Sequence, residues 1–346
     1  MISNKEFTEV YNKYKDIIMI IARTPFRISF AGGGSDLASF YTRHEGCVLS
    51  ASINKYMYII AHPSFNEATT AVKYSKTEIV DDVRKIQHPI VRQTLLDYGV
   101  SGVEITSVAD IPSGTGLASS SAFTVGLLHA IGAYTGKFRS QEELAEEACD
   151  MEINKLGEPI GKQDQYGCAV GGLKFIRFMS NGHVEVEPLL LSRECLDKLH
   201  ENLLMFYIGG EHDAGEILKQ QSKNVTQEAK FQNLVKMTEL AHELRETLLK
   251  ERIDSFGEIL HKGWLLKREL ASGISNPAID KYYDLAMQNG ALGGKLLGAG
   301  GAGFLLFYCE KEKQPRLRSA LNQLNELKFD FDYAGTSIAY VGNRNW

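Results

Sequence analysis

The chain has 346 residues, 44% of them apolar and 23% charged. At roughly 150 residues per domain that suggests two domains, each with enough apolar residues for a core. The formal charge of -5 and the lack of any Lys/Arg run argue against a nucleic-acid-binding face, which carries a basic surplus, and leave a small molecule as the expected partner.

Ser3 to Asp16 is polar and reads as a short helix with Phe7, Val10, Tyr11 and Tyr14 on one side. It lacks the basic start and apolar run of a secretory signal. Ile17 to Ala22 is too short to span a bilayer, so the sequence suggests no membrane association. Five scattered cysteines (Cys47, Cys149, Cys168, Cys195, Cys309) form no C-x-x-C pair. Neither a disulfide framework nor a zinc site is indicated, which fits a reducing, cytoplasmic setting.

Ile17 to Ala22, Phe26 to Ala31 and Val48 to His62 read as strands of one sheet. Between the second and third lies Ala31-Gly32-Gly33-Gly34-Ser35-Asp36, with Arg27 just upstream. Three glycines at a strand end cost backbone entropy and suggest close approach by a substrate, although a tight structural turn would use the same residues.

Val103 to Val108 is a further strand. It runs into Pro112-Ser113-Gly114-Thr115-Gly116-Leu117-Ala118-Ser119-Ser120-Ser121, and Ala118 to Tyr134 then reads as a small-residue helix. Glycines that turn N–H groups inward, a helix N-terminus and serine hydroxyls together make a polyphosphate cradle. The loop is tied between two periodic elements and followed by an apolar helix, which weighs against a merely flexible surface loop. It is not a Walker loop, because G-x-x-x-x-G-K-[ST] occurs nowhere, and H-R-D and D-F-G are absent as well.

Ser140 and Glu143 form a capping box that opens a helix spanning about Gln141 to Leu156. Glu152 lies near its apolar edge beside Ala148 and Met151, where a carboxylate needs a cation or metal; an exposed ion pair is the plain alternative. Gly161-Lys162-Gln163-Asp164-Gln165-Tyr166-Gly167 follows. There Asp164 fits either a turn or a general base.

Strands at Gly172 to Met179 and Val184 to Pro188 come next, and Glu211 to Ala271 is almost wholly helix-favouring. That shift places a domain boundary near Leu190 to Leu203. The tail reads helix (Ala278 to Gln288), strand (Leu292 to Leu297), glycine-rich turn, strand (Gly303 to Cys309), helix (Lys313 to Leu327) and strand (Ser337 to Val341). This order suits a small α+β sandwich. Gly298, Gly300 and Gly303 satisfy G-x-G-x-x-G, but a dinucleotide fingerprint must open a helix, and Phe304 onward is a strand. The cluster is therefore a turn between strands, serving either a ligand or topology alone.

Taken together, these segments resemble the GHMP kinases. Pro112 to Ala122 is similar to the family's second motif, P-x-x-x-G-L-x-S-S, and Lys295 to Gly303 to its third, with Ala302 where another glycine is usual. Ala31 to Asp36 resembles the first motif of the branch that phosphorylates sugars at C1, and departs from the G-E-H-T-D of galactokinases.

The resemblance implies an α+β, two-domain fold. Residues 1–195 would form a ribosomal-S5-like N-terminal ATP-binding domain, and residues 196–346 a ferredoxin-like C-terminal one. It implies ATP and Mg²⁺, with Asp164 as base supported by Arg27, Ser120 and Glu152 on the metal, and the loop from Pro112 to Ser121 on the nucleotide. The acceptor would lie against Gly33, Gly34, Ser35, Asp36, Asp164, Gly300 and Gly301. The expected substrate is a sugar or sugar phosphate, most like D-glycero-D-manno-heptose 7-phosphate made into the 1,7-bisphosphate, with a fucokinase-like enzyme as competitor. A phosphate on the acceptor would need a cation, for which Lys162, Arg23 and Arg177 are the candidates. A homodimer is left open, as is a ligand-binding protein of the same fold without catalysis. A Rossmann-type oxidoreductase is disfavoured by the strand after Gly303.

Overall fold

The computed structural model describes residues 17–210 and 214–343, so the helix expected at Ser3 to Asp16 lies outside the described residues. Two sheets organise them. The larger has eight strands in the order β12-β1-β2-β5-β3-β4, with β6 on β2 and β7 on β6. Here β1 is Ile17–Ala31, β2 Gly46–Pro63, β3 Thr70–Lys73, β4 Thr77–Val80, β5 Val103–Ala109, β6 Leu173–Phe178 and β7 Val184–Pro188. The smaller is β11-β8-β10-β9, built from β8 Leu203–Gly209, β9 Ala291–Leu296, β10 Gly303–Cys309 and the short β11 Asn325–Glu326. Strand β12, Ser337–Asn343, belongs to the larger sheet.

The two strand segments expected before Gly32 are one strand, because Pro25 sits at a register shift against β2 and lets the chain continue. Strand β2 changes character along its length. From Gly46 to Ile53 every residue is buried, while beyond it burial alternates. The first half pairs with β6 and lies under the Glu228–Leu249 helix, and the second half pairs with β5 and has one solvated face.

The Ser119–Tyr134 helix packs on β1 and β2. Gly126 permits that approach, since a β-carbon there would lie 3.0 Å from Thr24 Oγ1 and 3.2 Å from Ile59 Cγ1. The smaller sheet carries a second core containing Phe206, Trp264, Tyr283 and Phe307. Helix Phe256–Arg268 ties the two sheets together. It lies on β9 and touches β1, and Phe30 meets Phe256 edge-on at 5.3 Å between ring centres.

One expectation is corrected here. The tail is not one sandwich: its last strand leaves the smaller sheet and pairs antiparallel with β1, Tyr340 opposite Ile21. The way back is prepared by Asp332, whose N–H donates to Ser52 and whose carbonyl accepts from Gly172. A cut at 195/196 would also fall inside the Arg193–Glu201 helix, which Ser192 caps through the Cys195 N–H. Composition could not show either feature, because the strand partner is set by tertiary packing and the helix is short and polar. The division into 1–195 and 196–346 stands as our proposal for the two sheets, with β12 transferred to the first.

Candidate active site

The loop from Pro112 to Ala118 lies between β5 and the Ser119–Tyr134 helix, as expected. Ala118 takes φ +67 and no side chain caps the helix. A non-glycine residue in the left-handed region is strained, and an uncapped N-terminus leaves N–H groups pointing outward with the positive end of the helix dipole. Such a terminus accepts an anion.

The third glycine segment backs this loop. A β-carbon at Gly116 would lie 2.4 Å from the Leu297 carbonyl oxygen, and one at Gly298 would lie 2.4 Å from Gly116 Cα. The two turns touch backbone to backbone, an approach that only glycine allows. Gly300 and Gly301 pack on the Ile274 turn: a β-carbon at Gly300 would lie 2.6 Å from Ile274 Cα, the Gly301 N–H donates to Ile274 O, and the Gly301 carbonyl accepts from Asn276 Nδ2. The Gly301 backbone is thus engaged by the chain itself.

Arg27 and Asp164 meet although 137 residues separate them. Arg27 is 2% exposed; its Nε and Nη2 donate to Asp164 Oδ1 at 2.9 and 2.7 Å, and its Nη1 donates to the Gly116 carbonyl at 2.8 Å. The guanidinium thus fixes a carboxylate against the glycine loop. Asp164 sits in the first turn of a short helix, Gln163–Ala169, rather than in a turn between glycines. Its Oδ2 has no partner among the described residues.

Glu152 is found where the expected helix changes. The α-helix ends at Cys149 and continues as one π-helical stretch, Asp150–Lys155, whose wider turn carries Glu152 into the interior. At 1% exposure its oxygens accept from Ser120 Oγ (2.8 Å), Ser121 Oγ (2.9 Å) and Gln165 Nε2 (2.7 Å). Burial pushes its carboxyl above the ordinary 4.5, against the pull of those donors. Hydroxyl and amide donors stabilise the carboxylate, yet no cation among the described residues compensates its charge. A divalent cation binding through one carboxylate, one hydroxyl and nucleotide phosphates fits that deficit.

Asp36 is buried beside these groups. It accepts from the Gly34 N–H, the Gln163 N–H and Gln163 Nε2, and burial together with the nearby Asp164 raises its pKa. Gly34, at φ +101, makes room for Gln221: a β-carbon there would lie 2.2 Å from Gln221 Nε2, a buried amide nitrogen without a hydrogen-bond partner among the described residues. Gly33 faces the Gln163 amide.

Ser35 is a correction. Its hydroxyl is completely buried, bonds the Gly32 and Cys47 carbonyls at 2.8 and 3.0 Å, and accepts from the Cys47 N–H. Its one proton is shared between the two carbonyls that close the turn, and complete burial keeps its remaining lone pair from an acceptor. Arg177 is excluded as well, because Glu45 and Glu185 neutralise it. Lys162 donates to Gly182 O at 2.5 Å, and Arg23 lies over the Tyr56 ring. Neither is brought to Asp164 by a described contact.

Sequence reasoning assigned no role to Gln163, Gln165, Gln221, Lys267 and Lys295, and it gave Ser121 to the nucleotide rather than to Glu152. The lysines carried a readable signal. Lys267 follows Leu260 and Trp264 at i+7 and i+3 on the buried face of its helix, and Lys295 interrupts an apolar strand.

A phosphate cradle at a helix N-terminus, opposite a carboxylate anchored by a buried arginine and beside a second buried carboxylate, defines a small-molecule phosphotransferase. The GHMP kinases N-terminal domain matches residues 84–172 and the GHMP kinases C-terminal domain residues 244–328, half of the chain between them; the chain belongs to the GHMP kinase family, whose members use ATP. It is 27% identical to the D-glycero-alpha-D-manno-heptose 7-phosphate kinase of Campylobacter jejuni, over 92% of this chain and 98% of that protein. It is 28% identical to the bifunctional fucokinase/GDP-fucose pyrophosphorylase of Arabidopsis thaliana, over 97% of this chain but 34% of that longer protein. Among solved structures, a D-glycero-D-manno-heptose 1-phosphate kinase from Bacteroides thetaiotaomicron superposes with a TM-score of 0.77 at 25% identity, covering 93% of this chain and 99% of that one. The two-domain fold is that of these kinases. No helix among the described residues is long and apolar enough to cross a membrane.

Proposed function

We propose that this sugar kinase transfers the γ-phosphoryl group of ATP to the C1 hydroxyl of D-glycero-D-manno-heptose 7-phosphate, giving the 1,7-bisphosphate. The observation that carries the proposal is Arg27, which holds Asp164 Oδ1 and the Gly116 carbonyl at once and so sets a carboxylate at the edge of the phosphate loop. The choice of a heptose is supported by the Campylobacter jejuni relative, matched over nearly its full length, and by the first-motif departure from galactokinases.

In this reading Asp164 Oδ2 takes the proton of the C1 hydroxyl as that oxygen attacks the γ-phosphorus in line. The bond from phosphorus to the β–γ bridging oxygen breaks, and ADP leaves with the electron pair. Arg27 orients the base and spreads positive charge toward the transferring group. Backbone N–H groups from Gly114 to Ser121 hold the phosphates. Ser120 and Glu152 would hold Mg²⁺, which when bound neutralises phosphate charge. Asp36, kept in place by Gln163, accepts hydrogen bonds from acceptor hydroxyls, and a polar site of this kind rejects sugars that lack the matching group. We place the reaction in the cytoplasm, where ATP is plentiful and the five buried free cysteines stay reduced.

The test is a panel of heptose 7-phosphate, fucose, galactose and mevalonate with MgATP, read by ADP release and by phosphorus NMR of the product. Heptose 7-phosphate should give the highest kcat/KM, with a new phosphate on the anomeric carbon. A lead for fucose would transfer the assignment to the fucokinase branch. Intact ATP with every acceptor would leave a ligand-binding protein.

A further inference from the structure

Two lysines that this mechanism leaves unused are buried beside Arg27. Lys267, 5% exposed, is next to last in the Phe256–Arg268 helix; Lys295, 4% exposed, is in β9. The Lys267 ammonium donates to the carbonyl of Gly298, the residue that abuts Gly116, and Gly116 accepts from Arg27. The Lys295 ammonium lies 3.2 Å from Ser29 Oγ. Ser29 is two residues from Arg27 along β1, so their side chains leave the same face of the strand. Three cations therefore gather beneath the two touching glycine turns.

Their surroundings do not satisfy them. An ammonium has three donors, and each of these finds a single acceptor and no carboxylate within ion-pair distance among the described residues. Burial pushes Lys267 down to about 8, with Arg27 adding repulsion and Asp36 and Asp164 opposing it. Burial, then Lys267, then Arg27 push Lys295 well below the usual lysine range. A buried ammonium without a counter-charge is costly, so with Arg27 already paired to Asp164 the two amines carry full charge only when an anion faces them.

We propose that Lys267, Lys295 and Arg27 form an anion subsite that takes a phosphoryl group, either the γ-phosphoryl of the nucleotide or the phosphate already carried by the acceptor. The proposal rests on the kinase reading above and supplies the cation that Arg177 cannot. Against a phosphoryl group each lysine gains charge-assisted hydrogen bonds, and the anion draws a proton onto whichever amine is neutral.

The experiment titrates inorganic phosphate by calorimetry into the protein saturated with MgADP. It needs no sugar, so its result is independent of whether the heptose assignment holds. Wild-type protein should bind phosphate, and Lys267→Met and Lys295→Met should each weaken binding about 10- to 100-fold, whereas Lys267→Arg retains it. The unliganded Met variants should melt no lower than wild type, because a buried amine with unmet donors and no counter-charge is removed. Replacing MgADP by a non-hydrolysable ATP analogue separates the two sources. Lost phosphate binding assigns the lysines to the γ-phosphoryl, and retained binding assigns them to the acceptor's phosphate. Should a Met variant fail to fold, sulfate with wild-type protein and MgADP decides, since sulfate should raise the melting temperature more at pH 7 than at pH 9, where Lys267 is neutral. Failure of wild type to bind phosphate, equal binding by wild type and both Met variants, or the same sulfate response at both pH values overturns the subsite.

Discussion

Two regions of this molecule bury charged and polar groups, and they treat them differently. Beneath the larger sheet, Lys174 is completely buried, yet its ammonium donates to Ser52 Oγ at 2.9 Å and the Gly172 carbonyl at 3.0 Å, and the same Ser52 hydroxyl also serves the Gly167 and Val170 carbonyls. Around the glycine turns, among the described residues, Asp164 keeps one oxygen without a partner, Glu152 has donors but no counter-charge, and Lys267 and Lys295 have one acceptor each. A buried group whose donors are mostly met by its own chain, as two of the three on Lys174 are, is scaffold. One left with open valence costs stability unless a ligand completes it, so the open groups mark where the ligands go.

The largest effect that tests this contrast is at Asp164. Asp164→Asn keeps an oxygen for Arg27 but removes the base, so turnover should fall about 100- to 10,000-fold while nucleotide binding, read by fluorescence titration of an ADP analogue, changes little. The unfolding midpoint should fall, because buried Arg27 keeps an acceptor oxygen but loses its counter-charge; a turnover loss measured well below that midpoint is therefore one of chemistry and not of folding. Unchanged turnover removes Asp164 from the chemistry.

A mutation at Lys174 should do the reverse. Burial lowers Lys174 to about 7 from 10.5. Between those values the unfolded chain binds a proton that the folded chain does not, so stability rises as the pH goes up through this window and levels off below about 7. From pH 7 to 9 Lys174 should contribute a rise on the order of 2 kcal/mol, alongside Lys267 and Lys295. Lys174→Met should flatten the urea-unfolding profile by that share with kcat unchanged. A profile as steep as wild type shows that Lys174 does not titrate there.

How much of this was legible in the sequence depended on whether backbone or side-chain destination carried the message. The phosphate loop could be read because glycine spacing between a strand and a helix dictates backbone geometry locally. Glu152 could be suspected from its position at an apolar helix edge, but the π-helical stretch that turns it inward depends on packing. The pairing of Arg27 with Asp164 had to be borrowed from the family resemblance, because no local rule joins residues 137 apart. Lys267 and Lys295 were visible as charges at core-facing positions, and amphipathic periodicity alone does not say whether such a residue is an outlier or a tool. Strand β12 was read as a strand and placed in the wrong sheet, since strand propensity carries no information about partners.

Ser35 makes the smallest and sharpest trial, because the motif around it suggests an acceptor contact and the structure shows a saturated turn. Ser35→Ala removes the bonds to Gly32, Cys47 O and Cys47 N in a fully buried place. It should lower stability by about 1–2 kcal/mol in chemical denaturation. The KM for the acceptor should stay at its wild-type value, as Asp36 remains held by the Gly34 N–H and by Gln163. A raised acceptor KM with undiminished stability would return Ser35 to the ligand-facing groups and break the rule that satisfied polar atoms are scaffold. The rule survives if the loss is one of stability alone, and Asp36 then carries the acceptor-binding part of the Ala31–Asp36 segment.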